Sequence, residues 1–295
     1  MTVMVTGASG PIGSALVPLL TRKDEVRAAV RDPGAAEALR ALGAKVTVGR
    51  LDRADELAEV LRGVFTLVHL VGGPDHADDA LLDANHGSTL RAVRAAREAG
   101  VRRIVLASVP GASPGSTVPF LRAKGLAEEA VTSSGLQHAV IRAAPVVGAG
   151  SLWFAATVAG ALQVPPIVWG PGDRSSAPVA VGDVAAALAV ADDLDEDLAG
   201  TWALEGPDAV TADDTVAMLA GREAPFEHLE GDPARTRLTA LLERPVSPHA
   251  VDALTAPGRA DAPDAALRFG LGRTSLSDAM RAALDVVAAG AAQHG

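Results

Sequence analysis

With 295 residues, of which 48% are hydrophobic and 21% charged, the chain has the composition of a globular protein with a large buried core. Its formal net charge of −10 opposes binding to nucleic acid, whose phosphates are also negative. It contains no cysteine, which excludes disulfides, thiolate metal sites and cysteine nucleophiles, and no tyrosine, which excludes any mechanism that needs a tyrosine hydroxyl.

Short β-branched segments alternate with alanine- and leucine-rich amphipathic segments in the first half of the chain, which predicts βαβ units. We predict strands at residues 3–6, 26–30, 45–49, 66–70, 103–107 and 139–142. We predict helices at residues 12–20, 35–42, 54–61, 79–99 and 120–133. Several of the strands are continuously apolar, as expected for a parallel sheet that is buried on both faces. The predicted fold is α/β, with a doubly wound, Rossmann-like parallel sheet.

The second half is less regular, and clusters of proline and glycine separate its elements. We predict a core at 1–148 and a smaller lid region at 149–295 that covers the carboxyl ends of the strands. One further αβ unit is expected near 179–205. It has a strand at 179–181, a helix that Asp183 caps and that runs to Ala191, and a strand at 200–204 that rejoins the sheet. We expect neither a signal peptide nor a membrane span, and therefore a cytoplasmic protein.

A glycine-rich turn follows the first strand and opens the first helix, which is the context of a dinucleotide-binding site. Gly7 allows a tight turn, Gly10 a close approach of the backbone to a pyrophosphate, and Gly13 close packing of helix on strand. The helix N-terminus then offers free N–H groups to the phosphates. The predicted contacts within the turn are Gly7, Ser9, Gly10, Pro11, Ile12 and Gly13.

The spacing of these glycines resembles that of the short-chain dehydrogenase/reductase superfamily, in its extended or atypical, NmrA-like branch. Further matching segments lie at 26–33, 100–108 and 141–145, and Lys124 stands where the family has its active-site lysine. The resemblance covers most of the chain. It implies an NAD(P)H-dependent oxidoreductase with Asp52 beside the adenine. It also implies that further residues contact the cofactor, namely Leu70, Val71, Gly72, Lys124 and Pro145.

Arg31 indicates which nicotinamide cofactor the chain binds. An NAD site usually presents a carboxylate at the end of the second strand, and here Arg31 holds that place. A guanidinium can pair with a 2′-phosphate, so Arg31 favours NADP(H). In the alternative interpretation, Arg31 is a solvated cation paired to the adjacent Asp32.

The resemblance also shows what is missing from the reaction site. The family places a Tyr-x-x-x-Lys pair on the helix after the fifth strand, where the tyrosine donates a proton to the substrate carbonyl. The matching stretch here begins with Phe120 and ends with Lys124, so the lysine is kept and the hydroxyl is lost. The family's carbonyl-polarising serine falls near Ser108, with a register uncertain by one residue. Lys124 as an exposed helix charge and Ser108 as a turn residue are the alternatives.

A reductase without this tyrosine needs another proton source, and a ketone flanked by a phenol carries its own. The chain resembles the tyrosine-lacking ketoreductases of angucyclinone antibiotic pathways, which implies a hydroxylated aromatic polyketide as substrate. Phe120, Trp153, Phe154 and Trp169 are the expected substrate contacts, unless the last three are ordinary core aromatics. Two other functions stay open: an NmrA-like NADP-binding regulator without turnover, and an epimerase or isomerase. No metal, nucleic acid or membrane partner is expected, and the oligomeric state is undetermined.

Overall fold

The computed structural model describes residues 1–50, 52–194, 198–223, 225–256, 259 and 262–292. The strands are β1 (Thr2–Thr6), β2 (Glu25–Val30), β3 (Lys45–Val48), β4 (Thr66–His69), β5 (Arg103–Ser108), β6 (Gln137–Ala143), β7 (Val146–Val147), β8 (Ile167–Trp169), β9 (Ser175–Ser176), β10 (Val179–Ala180), β11 (Ala199–Leu204), β12 (Val210–Thr211) and β13 (Glu227–Leu229).

The helices are α1 (Pro11–Leu20), α2 (Pro33–Ala41), α3 (Ala54–Leu61), α4 (Asp78–Leu82), α5 (Ser88–Ala99), α6 (Pro119–Thr132), α7 (Leu152–Ala161), α8 (Val181–Asp193), α9 (Ala212–Ala220), α10 (Gly231–Leu242), α11 (Pro248–Leu254), α12 (Ala265–Phe269) and α13 (Leu276–Ala292). A π-helical turn, Asp83–Gly87, joins α4 to α5.

The central sheet confirms the doubly wound prediction. Within the described residues it has seven strands in the order β11-β6-β5-β4-β1-β2-β3, and every pair in it is parallel. The strand order reverses between β1 and β4, and in such sheets a ligand binds at the carboxyl ends of the strands beside this reversal. All four residues of β4 are buried, as expected for a central strand of a parallel sheet, although Thr66 and His69 at its two ends are polar.

Two apolar layers cover the faces of the sheet. One layer packs α1 and α8 against the sheet around Val5, Val105 and Leu188. The other packs α3, α5 and α6 around Met4, Leu67 and Ile104. Neighbouring residues of a strand point to opposite faces, so Met4 and Val5 serve different layers. The sheet therefore forms the middle of a three-layer core.

The returning αβ unit is present but differs in two details from its prediction. β11 rejoins the sheet, parallel to β6, from Ala199 to Leu204, whereas β10 pairs with β7 outside the sheet. The expectation that Asp183 caps α8 is wrong. The helix begins two residues earlier, and the Asp183 carboxylate accepts hydrogen bonds from the Thr274 backbone N–H at 2.7 Å and from the Thr274 hydroxyl at 2.9 Å.

The smaller region forms its own clusters beside the sheet edge. One cluster packs α7, β8, α10 and α11 around Ile167, Trp169 and Leu238. Another packs the first turns of α13, with Leu276 and Met280, on Phe154. No helix within the described ranges is long and apolar enough to cross a membrane. The described part of the chain also holds no group of three or more His, Asp or Glu side chains with metal-binding geometry.

Candidate functional site

The turn between β1 and α1 requires glycine at two of its positions. Gly7 has a φ of +74°, and a Cβ there would lie 2.9 Å from the carbonyl carbon of Leu70. A Cβ on Gly13 would lie 2.6 Å from the Cα of Ala8. Because that atom is backbone and cannot rotate away, only glycine lets α1 begin this close to the turn. Gly10 is less confined, with the Gly7 carbonyl oxygen 3.4 Å away.

The first helix begins with backbone donors that face the turn. α1 starts at Pro11, its N-cap residue Gly10 has no side chain, and its first turn has no acidic residue. The first N–H groups of a helix lack intrahelical partners and carry the positive end of the helix dipole. Ser9 is exposed and Ile12 is half-buried, so the rim of the turn is accessible. These features fit the pyrophosphate of a dinucleotide.

The segment after β4 runs beside this turn and is held by the buried side chain of Asn85. The Asn85 Oδ1 accepts a hydrogen bond from the Gly73 N–H at 3.0 Å, and its Nδ2 donates to the Gly73 carbonyl at 2.9 Å and the Leu81 carbonyl at 3.0 Å. A Cβ on Gly72 would lie 2.5 Å from the Asn85 Oδ1. Asn85 thus fixes the ledge beside the glycine-rich turn. The ledge comprises the expected cofactor contacts Leu70, Val71 and Gly72.

Asn85 is not among the predicted site residues, because the sequence predicts a single helix over 79–99. The π-helical turn interrupts that helix, and the Thr89 hydroxyl donates to the Asn85 carbonyl at 2.7 Å. A signal is present in the sequence: residues 85–89 form a run of weak helix formers between two better segments. π-helical turns are frequent at functional sites.

Arg31 lies exposed at the end of β2, and within the described residues its guanidinium has no hydrogen bond or ion pair. The Asp32 carboxylate instead accepts from the Gly34 N–H at 2.9 Å and caps α2. The alternative pairing of Arg31 with Asp32 is therefore absent. Burial and the nearby charge of Arg31 lower the pKa of His76, which puts this side chain in the field of the guanidinium. Asp52 is exposed and pairs with Arg50 at 2.7 Å.

Lys124 lies in the interior at the carboxyl end of β5 and is not an exposed helix charge. Its side chain is buried, and its Nζ donates to the Ala107 carbonyl at 2.6 Å. Burial lowers its pKa to about 8, against the opposing effect of Glu128. An ammonium has three donors, so two remain for a ligand hydroxyl.

Phe120 occupies the place one helical turn before Lys124. It is buried, and it packs in one cluster with Leu81 and Leu121, against Ala253 at the end of α11. The position where the family has its acid is therefore apolar and is covered by the smaller region. A hydroxyl at this position would have apolar neighbours.

Ser108 is the last residue of β5. Its side chain is buried, and its Oγ has no hydrogen-bond partner within the described residues. The next residue, Val109, follows the strand, is half-buried against the cluster that contains Phe120, and has no hydroxyl. The catalytic role of Ser108 stays a prediction.

His69 lies beneath the site and offers no replacement acid. It is almost fully buried, and its Nδ1 lies 2.8 Å from the Thr6 Oγ1. Burial, followed by the positive charges of Lys124 and Arg91, lowers its pKa to about 3. The ring therefore stays neutral at physiological pH and lacks the acidic proton of an imidazolium.

The three aromatic residues of the smaller region serve mainly its packing. Trp169 is buried, and its indole N–H donates to the Ala156 carbonyl at 2.7 Å. Phe154 is buried beneath α13, while Trp153 is half-buried at the edge of the same cluster. Trp169 therefore belongs to the core of the region. Pro145 lies at the end of β6, and its carbonyl accepts from the Val179 N–H at 2.9 Å.

Residues 7–148 match a family model described as NAD(P)H-binding. A (4-alkanoyl-5-oxo-2,5-dihydrofuran-3-yl)methyl phosphate reductase from Streptomyces griseus is 30% identical over 266 residues, which are 83% of this chain and 83% of the relative. A 4-hydroxy-2-methyl-3-oxo-4-farnesyl-3,4-dihydroquinoline-1-oxide ketoreductase from Stigmatella aurantiaca is 37% identical over 108 residues, which are 36% of this chain and 32% of that protein.

A solved structure of an NADPH-dependent quinone oxidoreductase from Escherichia coli, complexed with NADPH, has the same fold. It matches with a TM-score of 0.75 at 20% identity, over 95% of this chain and 98% of that one. The reductase relatives identify the chain as an NAD(P)H-dependent oxidoreductase. It belongs to the NAD(P)H-binding, NmrA-like atypical branch of the short-chain dehydrogenase/reductase superfamily.

Proposed function

We propose that this oxidoreductase is an NADPH-dependent ketoreductase that acts on a hydroxylated aromatic polyketide ketone of the angucyclinone type, in antibiotic biosynthesis. The observation that carries the proposal is the buried Phe120, one turn before a buried lysine, in a chain without tyrosine. A reductase without a proton donor at this position is restricted to ketones that supply the proton themselves. A ketone with a neighbouring phenolic hydroxyl is such an acceptor.

The unpaired guanidinium of Arg31 supports NADPH over NADH. A 2′-phosphate beside Arg31 gains charge-assisted hydrogen bonds, while a bare 2′-hydroxyl gains much less. Asp32 does not compete with the 2′-phosphate for the Arg31 guanidinium, because the Asp32 carboxylate caps α2. Gly7, Gly13 and the α1 N-terminus hold the pyrophosphate, and the two free donors of Lys124 hold the nicotinamide ribose.

When bound, NADPH supplies the hydride that reduces the carbonyl carbon. The substrate's own hydroxyl protonates the carbonyl oxygen and regains a proton from water. The chain contributes positioning, which can supply about 7–11 kcal/mol, whereas a general acid adds roughly 10²–10⁴-fold. Phe120 and Val109 line the corner with apolar surface and limit the access of water.

The Streptomyces relative is named for a substrate with an alkanoyl group, and the Stigmatella relative is named for a ketone that bears a hydroxyl and a farnesyl group. These names support a carbonyl acceptor with a neighbouring oxygen and an apolar substituent.

The test is NADPH oxidation with pairs of aromatic ketones that differ only in whether the neighbouring hydroxyl is free or O-methylated. We expect the free hydroxyl to raise kcat/KM at least about tenfold, within the range of general-acid catalysis. Equal rates for both members of each pair would contradict the substrate as proton source. No oxidation across the panel, with NADPH binding intact, would contradict the ketoreductase and favour a cofactor-binding regulator.

A further inference from the structure

Residues 74–78, which we call the strap, leave the ledge after β4 and reach the smaller region. The strap follows Gly72 and Gly73, whose φ angles of +120° and +156° are rarely adopted by residues with a side chain. Asn85 holds Gly73 through hydrogen bonds to its N–H and its carbonyl. The strap therefore starts at a fixed point directly beside the expected cofactor contacts at 70–72.

The strap is tied to the segment that precedes α11. The Asp75 Oδ1 accepts a hydrogen bond from the Ser247 backbone N–H at 2.8 Å, and its Oδ2 pairs with Arg244. The Ser247 hydroxyl donates to the Pro74 carbonyl at 3.0 Å. The Asp75 side chain is only 25% exposed, and hydrogen bonds to an ionised carboxylate are stronger than those between neutral groups. Asp75 therefore joins the core to the smaller region at the end of the ledge.

Ser247 also determines where α11 begins. Its side chain accepts a hydrogen bond from the Ala250 backbone N–H at 3.1 Å and caps the helix. The residue that binds the strap is therefore also the residue that starts α11. α11 carries Ala253, which packs in the cluster that buries Phe120. The tie at Asp75 thus bears on the helix that covers the place of the family's acid.

The end of the strap shows the same approach of two helices. His249 and Ala253 are four residues apart on α11, and Asp78 and Leu81 are three apart on α4, so each pair shares one face of its helix. The His249 Nε2 lies 2.8 Å from the Asp78 Oδ1. Ala253 and Leu81 both pack in the cluster of Phe120. α11 therefore meets α4 directly over this cluster.

We propose that Asp75 is a positioning residue for the reduction: through the strap, it holds α11 over Phe120 when the cofactor occupies the ledge. The inference goes beyond the proposed function, because it requires an NAD(P)H-dependent reductase and no particular ketone. A ligand that orders the ledge also stabilises the strap, and by linkage a stable strap strengthens the binding of that ligand by the same factor. Cofactor binding and the cover of the reacting groups are thereby coupled.

Hydrogen exchange of the full chain, with and without NADPH, tests the coupling without a substrate. In the wild type, we expect saturating NADPH to slow the exchange of the α11 amides about threefold or more, because it stabilises the strap. In Asp75→Ala without cofactor, we expect these amides to exchange about tenfold faster, since hydrogen bonds to a charged group are lost. NADPH should no longer slow them, although it should still slow exchange in the turn at 7–13.

Two further variants serve as controls. Asp79, on the exposed side of α4, has no hydrogen bond or ion pair within the described residues, so Asp79→Ala should keep the wild-type response to NADPH. Asp75→Asn keeps an oxygen for the Ser247 N–H and loses the charge that faces Arg244, so we expect a reduced response. It also gives the comparison if Asp75→Ala does not fold. A response of α11 that is the same in the wild type and the Asp75 variants, or is absent from all, would overturn the proposal.

Kinetics separate positioning from a general loss of stability. With any ketone that the protein reduces, we expect Asp75→Ala to lower kcat about tenfold, because the reacting groups are held less closely. We expect the NADPH affinity to fall by no more than about threefold, the factor of the coupling. Asp75→Asn should recover part of kcat. A loss of NADPH affinity with kcat unchanged would overturn the proposal. If no ketone is reduced, the proposed function fails, and the exchange experiment still decides this inference.

Discussion

The nucleotide edge consists of the turn at 7–13, Arg31 and the ledge at 70–72. It lies on the same rim of the sheet as the reaction corner, which consists of Phe120, Lys124, Ser108 and Val109. The nucleotide edge is confined: backbone atoms stand within 3 Å of a Cβ at Gly7 and at Gly13, and Asn85 fixes the ledge. In the reaction corner, Phe120 stands at the acid's place, the Ser108 hydroxyl is buried, and Lys124 remains.

Under the proposed function, this difference changes the source of the proton while the cofactor stays the same. Backbone packing sets the nucleotide edge, where a single added carbon meets atoms that cannot move. The acid of the reaction corner was one hydroxyl on one side chain, which can be lost without loss of the helix that carries it. Under the proposed function, the substrate then supplies the proton.

The largest effect is expected from Gly13→Ala, which places a carbon 2.6 Å from the backbone of Ala8. We expect NADPH affinity to fall at least about 100-fold and the free energy of unfolding to fall by about 1–3 kcal/mol, as for other overpacked sites. Calorimetric titration and urea unfolding measure the two effects. Gly182→Ala is the control, because no atom lies within 4 Å of its Cβ position. Equal behaviour of the two variants would mean that the nucleotide edge is not confined.

The second effect concerns the cofactor's phosphate. We expect Arg31→Ala to weaken NADPH binding about 10- to 100-fold, the range of hydrogen bonds between charged groups, and to leave NADH binding within about twofold. The loss should shrink at high salt. Arg40→Ala, a change of an exposed arginine in the last turn of α2, should alter neither cofactor. Parallel losses for NADPH and NADH would show that Arg31 does not select the cofactor.

Much of the nucleotide edge could be predicted from the sequence, because its determinants are local. Three glycines at fixed spacing after an apolar strand predict the turn, and the residue after β2 suggests the cofactor. Asn85 escaped prediction because its partners, Gly73 and Leu81, matter only once the π-helical turn has formed. The sequence predicts that Asp183 caps its own helix, whereas its partner Thr274 lies far along the chain.

The residues of the reaction corner can be predicted from the sequence, but their surroundings in the fold cannot. The spacing of Phe120 and Lys124 follows from the sequence, but the cover of Phe120 by α11 is a tertiary contact. A shift of one residue moves a side chain to the other face of a strand. Because the register of β5 is uncertain by one residue in the sequence, the sequence does not determine whether Ser108 faces the reaction site. Likewise, composition cannot distinguish a stacking tryptophan from one such as Trp169, whose N–H is bonded to Ala156.

The third effect is a pH dependence of stability that arises from Lys124. Its pKa of about 8 in the folded chain lies below the ordinary value of 10.5, so between these limits the unfolded chain holds a proton that the folded chain has lost. Stability therefore rises with pH in this window. Relative to Lys124→Met, we expect wild-type protein to gain about 1–2 kcal/mol between about pH 7.5 and about pH 9.5 in urea unfolding. A constant difference between the two proteins would show that Lys124 is not desolvated.

The smallest effect is expected from Phe120→Tyr, which returns the hydroxyl to the reaction corner. The new hydroxyl lies among Leu81, Leu121 and Ala253 without a polar partner, so we expect stability to fall by about 1 kcal/mol. The rate with a hydroxylated ketone should stay within about threefold, because the substrate already supplies the proton, and the O-methylated ketone should gain less than about tenfold. Phe269→Tyr, where the ring packs on Trp202 away from the corner, is the control. A gain of about 100-fold or more with the O-methylated ketone would show that the corner still orients an acid, and that the loss of one oxygen atom is the whole difference from a tyrosine-dependent reductase.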